Sequence, residues 1–238
     1  MEFWFSEFHT PDVKHSIRVN KQLYSKQSDY QRIDIFETPE FGRVLTLDGN
    51  VMLTERDEFI YDEMIVHVPM AVHKQAKDIL VIGAGDGGVV RELTRYDRVE
   101  RIDLVEMDPQ VVEACRAFLP SNACRMDDRR VHIYFENALK YIRRCEEEYD
   151  LIIVDSSDPF GPSEGLFTRE FYGSCFNALK GQPAGQPLLR RGRQRHAAQP
   201  QAHCVHLPHQ PSVSGTYSHL CGWVLAVRLC QQKVSSHR

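Results

Sequence analysis

Residues 150–162 read Asp-Leu-Ile-Ile-Val-Asp-Ser-Ser-Asp-Pro-Phe-Gly-Pro. An unbroken aliphatic run, Leu151 to Val154, stops at two acids three positions apart, Asp155 and Asp158, with a Pro-rich stretch behind them. That profile predicts a buried parallel strand whose carboxyl end delivers acids into a crevice. Carboxylates so placed suit a cationic or amine substrate; the plainer alternative is a turn with a helix-capping Asp. A second group lies upstream, where Gly83-Ala84-Gly85-Asp86-Gly87-Gly88 matches G-x-G-x-x-G between a strand and a helix. Such a loop lets backbone approach a ligand at a helix N-terminus, and is shared by binders of NAD, FAD and S-adenosylmethionine. Asp86 would repel a pyrophosphate or a ligand carboxylate, which disfavours a dinucleotide and favours a cationic ligand.

Glu106 ends the next strand, where an acid accepts hydrogen bonds from a ribose diol; the alternative is a surface acid. Asn137 and Ala138 follow the third strand, where a base is read by a polar side chain and adjacent backbone, although Asn137 serves equally well as a helix cap. Tyr61 and Asp62 precede the glycine loop on a helix, and Gln31 lies further upstream on a strand. The three are candidates to close the crevice from its other side. Their alternatives are core packing for Tyr61, a solvated acid for Asp62 and a strand surface for Gln31.

The elements that must position these residues follow from pattern. Short alternating strands run from Ile17 to Thr54, including 30–36 and 42–47, broken by Asp48-Gly49-Asn50; they predict a small antiparallel β domain with hairpin turns over residues 1–55. A helix is expected over 57–73, with Phe59, Ile60, Met64, Ile65 and Val68 apolar. Strands 78–82, 102–105, 131–135 and 151–154 then alternate with helices 89–96, 111–118, 138–147 and 168–179. Alternation of this kind implies an α/β fold with a doubly wound parallel sheet over residues 56–180.

Composition sets the outer limits. A chain of 238 residues holds one large domain or a small and a larger one. Its seven cysteines show no C-x-x-C spacing, and the start, Met-Glu-Phe-Trp-Phe-Ser-Glu, lacks the basic and apolar regions of a signal peptide; a reduced cytoplasmic protein is the expectation. No apolar run reaches membrane-spanning length. The net charge of −4 argues against nucleic acid as a main partner, but it hides a division. All 33 acidic residues and 22 of the 29 basic ones fall in residues 1–180, while 181–238 contain no Asp, Glu, Ile, Phe, Met or Asn. Such a segment supports no packed core, and a disordered, irregular tail is expected there.

Four segments together resemble the spermidine synthase (polyamine aminopropyltransferase) family. They are Tyr30-Gln31, the stretch Thr54 to Met64 reading TERDEFIYDEM, Gly83 to Gly88, and Asp155 to Pro162 reading DSSDPFGP. The resemblance spans residues 1–180 and implies a Rossmann-like S-adenosylmethionine-binding fold. It also implies transfer of an aminopropyl group from decarboxylated S-adenosylmethionine to putrescine, giving spermidine and 5′-methylthioadenosine. Position by position, it implies that Gln31, Glu106, Asn137, Ala138 and Pro162 contact the nucleoside. Asp62, Asp86, Asp155, Ser156, Ser157 and Asp158 would hold the polyamine, with Asp155 as proton acceptor and Tyr61 hydrogen-bonded at the attacking nitrogen. Decarboxylated S-adenosylmethionine is a co-substrate, so no cofactor or metal is implied; a homodimer or homotetramer is. Family members often carry Gln or His at position 62, and usually Asp-Gly or Asp-Ala where this chain has Asn137-Ala138.

Beyond residue 180 the family's further strands and its Ile-Pro-Thr-Tyr segment are not visible. Codons compatible with Cys204 to Ser236, read one nucleotide out of register, permit a sequence containing Ile-Pro-Thr-Tyr that resembles the family C-terminus throughout. A frameshift near residue 181 is therefore expected, and the coding DNA tests it. On that reading the His203-Cys204-Val205-His206-Leu207-Pro208-His209 cluster and the Arg190 to Arg195 run carry neither a metal site nor a nucleic-acid patch. Two rivals stand beside the aminopropyltransferase: an S-adenosylmethionine-dependent putrescine methyltransferase, and an inactive remnant that binds nucleoside or polyamine without turnover.

Overall fold

A computed structural model describes residues 2–156, 161–181 and 205–208. The first 54 residues build two antiparallel sheets. Strands β1 (Phe3–Thr10) and β2 (Val13–Val19) form a hairpin, and β3 (Lys21–Gln27), β4 (Arg32–Thr38), β5 (Gly42–Leu47) and β6 (Asn50–Thr54) form a four-stranded meander. The β5–β6 turn pairs Leu47 with Asn50 around Asp48 (φ 50°) and Gly49 (φ 82°), the double left-handed turn that matches strand twist.

Helix α1 (Glu58–Val72) leads into a parallel sheet of β7 (Asp78–Gly83), β8 (Arg101–Glu106), β9 (Val131–Phe135) and β10 (Leu151–Ser156). Between them lie α2 (Gly88–Leu93), α3 (Pro109–Phe118), α4 (Pro120–Ala123) and α5 (Ala138–Ile142); a 3₁₀ turn (Gly161–Phe167) and α6 (Arg169–Ala178) follow β10. The order of the described strands is β11-β10-β7-β8-β9, where β11 is Val205–Pro208. Doubly wound topology is thus as the alternation predicts. Two helices are shorter than expected: α2 stops at Leu93, and α5 at Ile142, where the following Arg143 to Glu148 include turns and bends. Within the tail expected to be irregular, the described residues Val205–Pro208 form a strand that pairs in parallel with Ile153–Ser156; the rest of that tail beyond residue 181 lies outside the described residues.

Period-two alternation in the sheet sends side chains to two cores. Ile79, Val81, Ile102, Leu104, Leu151 and Ile153 meet Ile65, Val66, Met70, Val89 and Leu93 from α1 and α2. Leu80, Ile82, Val105, Ile152 and Val154 meet Tyr141, Ile142, Phe171 and Cys175 on the other face. Fully burying each such aliphatic side chain stabilises by about 1.5–3 kcal/mol, so the sheet is the rigid body from which the loops project. A third cluster joins the meander to α3, Ile33, Ile35, Leu45 and Leu53 against Val111, Ala114, Cys115 and Leu119, and docks the β domain beside the carboxyl end of β8.

Candidate active site

The carboxyl ends of β7, β8 and β10 converge because the strands run in parallel register, with Asp155 beside Gly83 and Val105 beside Ile82. Gly83 has φ +81°, and a Cβ there would lie 1.8 Å from the carbonyl oxygen of Asp155. Only glycine lets the two strand ends close to this distance. At the other end of the loop, a Cβ on Gly88 would lie 1.9 Å from Oδ2 of Asp62, so α1 lays an acid directly against the start of α2.

Four sequence-predicted acids are brought together here. Asp155 leads, its Oδ1 accepting a 2.6 Å hydrogen bond from the Tyr61 hydroxyl. Burial and then the Asp86 charge push the Asp155 carboxyl up to about 7, against the Tyr61 bond, which lowers it. Burial pushes Glu106 up to about 7 as well, although the N–H of Asp108 donates to its Oε1 at 2.9 Å. Asp86 is raised chiefly by burial; its Oδ2 accepts from the Gly88 N–H and from Asn122 Nδ2, both at 3.2 Å. Asp62 is raised well above the carboxylate range by burial and then by Asp86. It is 3% exposed, which excludes the solvated-acid alternative. Burial, and then Asp155 with Asp62 and Asp86, raise the Tyr61 phenol, so it stays a donor to Asp155.

The nucleoside candidates fare unevenly. Gln31 Nε2 donates to Asp108 Oδ2 at 3.3 Å, and Asp108 lies two residues beyond Glu106, so these two candidates meet at a residue the sequence reading passed over. Asp108 precedes Pro109 at the start of a helix, a capping signature that is visible in the sequence. Asn137 caps α5, its Oδ1 accepting from the N–H groups of Leu139 (2.9 Å) and Lys140 (3.3 Å), so the capping alternative holds in this structure. Ala138 begins that helix. Ser156 ends β10, buried, with no hydrogen-bond partner for its Oγ among the described residues. Ser157 and Asp158 lie outside the described residues; Pro162 belongs to the 3₁₀ turn, its side chain outside them.

Arg91 was also missed. It forms a bidentate pair with Glu58 at 3.0 and 2.8 Å, donates from Nε to Glu92 at 2.9 Å, and approaches Asp62 at 3.6 Å. Glu58 and Arg91 are separated by 33 positions on different helices, and no local pattern announces their meeting.

Buried acids at the carboxyl ends of parallel strands, beside a glycine loop, stand where open α/β sheets bind their ligands. Comparison with known proteins makes this specific: the spermine/spermidine synthase domain matches residues 58–184 and the spermidine synthase tetramerisation domain matches 3–55. The chain belongs to the spermine/spermidine synthase family. It is 62% identical over 180 residues to the polyamine aminopropyltransferase of Alkaliphilus oremlandii (strain OhILAs), a match covering 76% of this chain and 63% of that protein. The polyamine aminopropyltransferase of Clostridium botulinum (strain Alaska E43 / Type E3) is likewise 62% identical, over 75% and 63%. A crystal structure of spermidine synthase in complex with the transition-state analogue AdoDATO is 47% identical with a TM-score of 0.73, covering 75% of this chain and 61% of that one. The spermidine synthase of Thermotoga maritima gives 47% and 0.71, over 75% and 60%. The chain therefore matches about 63% of the length of its curated relatives. No described helix is long and apolar enough to cross a membrane.

Proposed function

We propose that this protein transfers the aminopropyl group of decarboxylated S-adenosylmethionine to putrescine, releasing spermidine and 5′-methylthioadenosine. The observation that carries the reading is the Tyr61–Asp155 pair, set among buried acids of which Asp86, Glu106 and Asp155 meet no Lys, Arg or His among the described residues. A primary amine has a pKa of about 10, and an ammonium is no nucleophile. Asp155 takes a proton from that ammonium and frees the nitrogen lone pair, which attacks the carbon beside the sulfonium; the carbon–sulfur bond breaks, and its electron pair leaves with the thioether. With Oδ1 taken by Tyr61, Oδ2 is the proton acceptor, and a carboxyl raised to about 7 is matched to that task. The sulfonium is already a good leaving group, so positioning supplies most of the remaining acceleration.

Glu106 receives the ribose diol, Gln31 with Asn137, Ala138 and Pro162 completes the nucleoside site, and Asp62, Asp86 and the 155–158 segment hold the polyamine. Asp86 also selects the donor, because an intact S-adenosylmethionine carboxylate meets its charge and the decarboxylated form does not. The test is an assay with putrescine and each donor separately. Spermidine formed only from the decarboxylated donor supports the reading; methylputrescine formed from the intact donor replaces it with a methyltransferase.

A second reading has its own observation, since the family match ends at residue 184 and the relative from Alkaliphilus oremlandii matches 180 of the 238 residues. On it the 238-residue chain binds nucleoside and amine with little turnover and low solubility, and full turnover by the purified chain overturns it. Assembly through residues 3–55 into a homodimer or homotetramer is supported by the matched tetramerisation domain and by exposed Phe3, Trp4, Phe8 and Val13 on the β1–β2 hairpin. Sedimentation of the full chain tests it, a monomer being the contrary result.

A further inference from the structure

We propose that Asp108 is a positioning residue for the nucleoside half of the site: it holds Glu106 and Gln31 in one arrangement and fixes which end of the Gln31 amide faces the ligand. The inference rests on the function proposed above, and goes beyond it to a residue that touches neither substrate. Asp108 is 1% exposed, at the junction of the β meander and the parallel sheet. Its polar groups have separate partners. The N–H donates to Glu106 Oε1 at 2.9 Å, Oδ1 accepts from the Gln110 N–H at 3.0 Å and so caps α3, and Oδ2 accepts from Ser28 Oγ at 2.6 Å and Gln31 Nε2 at 3.3 Å.

The chemistry of those partners sets the orientation. A carboxylate offers only acceptors. The edge of the Gln31 amide turned to Asp108 is therefore its NH₂ group, and its carbonyl Oε1 is directed away. Ser28 anchors the same carboxylate oxygen. Its Oγ accepts the N–H groups of Tyr30 and Gln31, each at 3.0 Å. Its single proton then goes to Asp108 Oδ2 at 2.6 Å in preference to the main-chain carbonyl of Gln31 at 3.0 Å. Gln31 and Glu106 are thus both presented as acceptors by one residue, and a ligand edge rich in O–H donors, such as a ribose diol, is the match. Because Ser28 and Gln31 belong to the N-terminal domain and Glu106 to the sheet, the same contact ties the two domains at the nucleoside site.

Asp108→Asn tests this in the full 238-residue chain. Asparagine caps a helix as well as aspartate does, so α3 keeps its start, but an amide NH₂ now meets Gln31 Nε2 and the glutamine must turn or withdraw. Two readouts apply: affinity for 5′-methylthioadenosine by titration calorimetry, and KM for each substrate. The expected result is nucleoside affinity and donor KM worsened about tenfold, the scale of one charge-assisted hydrogen bond, with the amine KM unchanged. In a Gln31→Ala background the Asp108→Asn change should add less than about twofold, because the side chain it positions is gone. Full additivity in that background, equal rises in both KM values, or unchanged nucleoside affinity overturns the proposal. Should Asp108→Asn fail to fold, Ser28→Ala serves in its place. It removes one Oδ2 partner and should weaken 5′-methylthioadenosine by about threefold, again only when Gln31 is present; unchanged affinity overturns the proposal. Native protein that binds 5′-methylthioadenosine without turnover counts against the proposed reaction alone. Native protein that does not bind it overturns the role of Asp108.

Discussion

At the amino ends of β7 and β10, Asp78 and Asp150 are met by the chain's own cations. Lys180 pairs with Asp78 and lies 3.4 Å from Asp150, Arg101 reaches Asp78 at 3.3 Å, and the N–H groups of Lys77 and Asp78 donate to Asp150 at 3.0 and 2.9 Å. Burial works against the Asp150 charge, yet those N–H groups and Lys180 hold its carboxyl below the usual range. At the carboxyl ends of the same strands the arrangement is reversed. Among the described residues no Lys, Arg or His pairs with Asp86, Glu106 or Asp155, and Arg91 alone approaches Asp62. Both ends are acidic, but one is neutralised internally and the other is left for a cation from outside. A sheet can therefore be stabilised at one end and chemically poised at the other by the distribution of a few cations.

The comparison can be attacked at either end. The largest effect is expected at Asp155: Asp155→Asn keeps an acceptor for the Tyr61 hydroxyl but removes the proposed proton acceptor, and should lower kcat by about a thousandfold, read in a spermidine-forming assay. Next, Asp86→Asn should raise the amine KM by about tenfold or more, the scale of a hydrogen bond to a charged group. It should also narrow the preference for the decarboxylated donor; an unchanged donor preference would remove Asp86 from the selection rule.

A third expectation concerns stability against pH. Asp155 is raised from 3.8 to about 7, so the folded state holds a proton that the unfolded state has lost. Its stabilising contribution is complete below about pH 4 and disappears as pH rises through 7. Melting curves of Asp155→Asn and the native chain should therefore diverge in that window, the variant gaining by up to a few kcal/mol above pH 7. Putrescine should raise the native melting temperature more at pH 8 than at pH 5. The smallest change is expected at the paired end, where Lys180→Met should cost about 1–2 kcal/mol and leave the amine KM alone. A Lys180→Met chain with a weakened amine KM would mean that the two ends are not independent.

Much of this was legible from spacing. The aliphatic run ending at Asp155, the glycine loop and Glu106 are each local patterns tied to strand ends, and a parallel sheet brings strand ends together whatever the intervening loops do. What escaped the sequence depends on contacts between distant elements. Arg91 with Glu58, and Asp108 with Ser28 and Gln31, join elements whose juxtaposition is decided by the docking of whole layers. Asn137 was readable as cap and as base reader, because one side chain carries the signature of both; its hydrogen bonds to Leu139 and Lys140 show the cap, which engages Oδ1 and does not exclude the nucleoside contact proposed for the same residue. The shorter α5 has a local cause in hindsight: the Arg143 to Glu148 stretch is rich in charge and includes Glu147 at φ 51°, a turn that periodicity does not register.

The backbone contact between Gly83 and Asp155 has one more consequence. The strand that opens the glycine loop and the strand that carries the proposed proton acceptor touch without any intervening side chain, so the spacing between the two proposed halves of the site is set by the main chain. Side chains around the amine can then be exchanged to admit a longer or shorter acceptor while the reacting atoms keep their separation. On the proposed function, changes around the amine need not disturb this joint, and Gly83, where a Cβ would lie 1.8 Å from the Asp155 carbonyl oxygen, is a position that cannot accept a side chain.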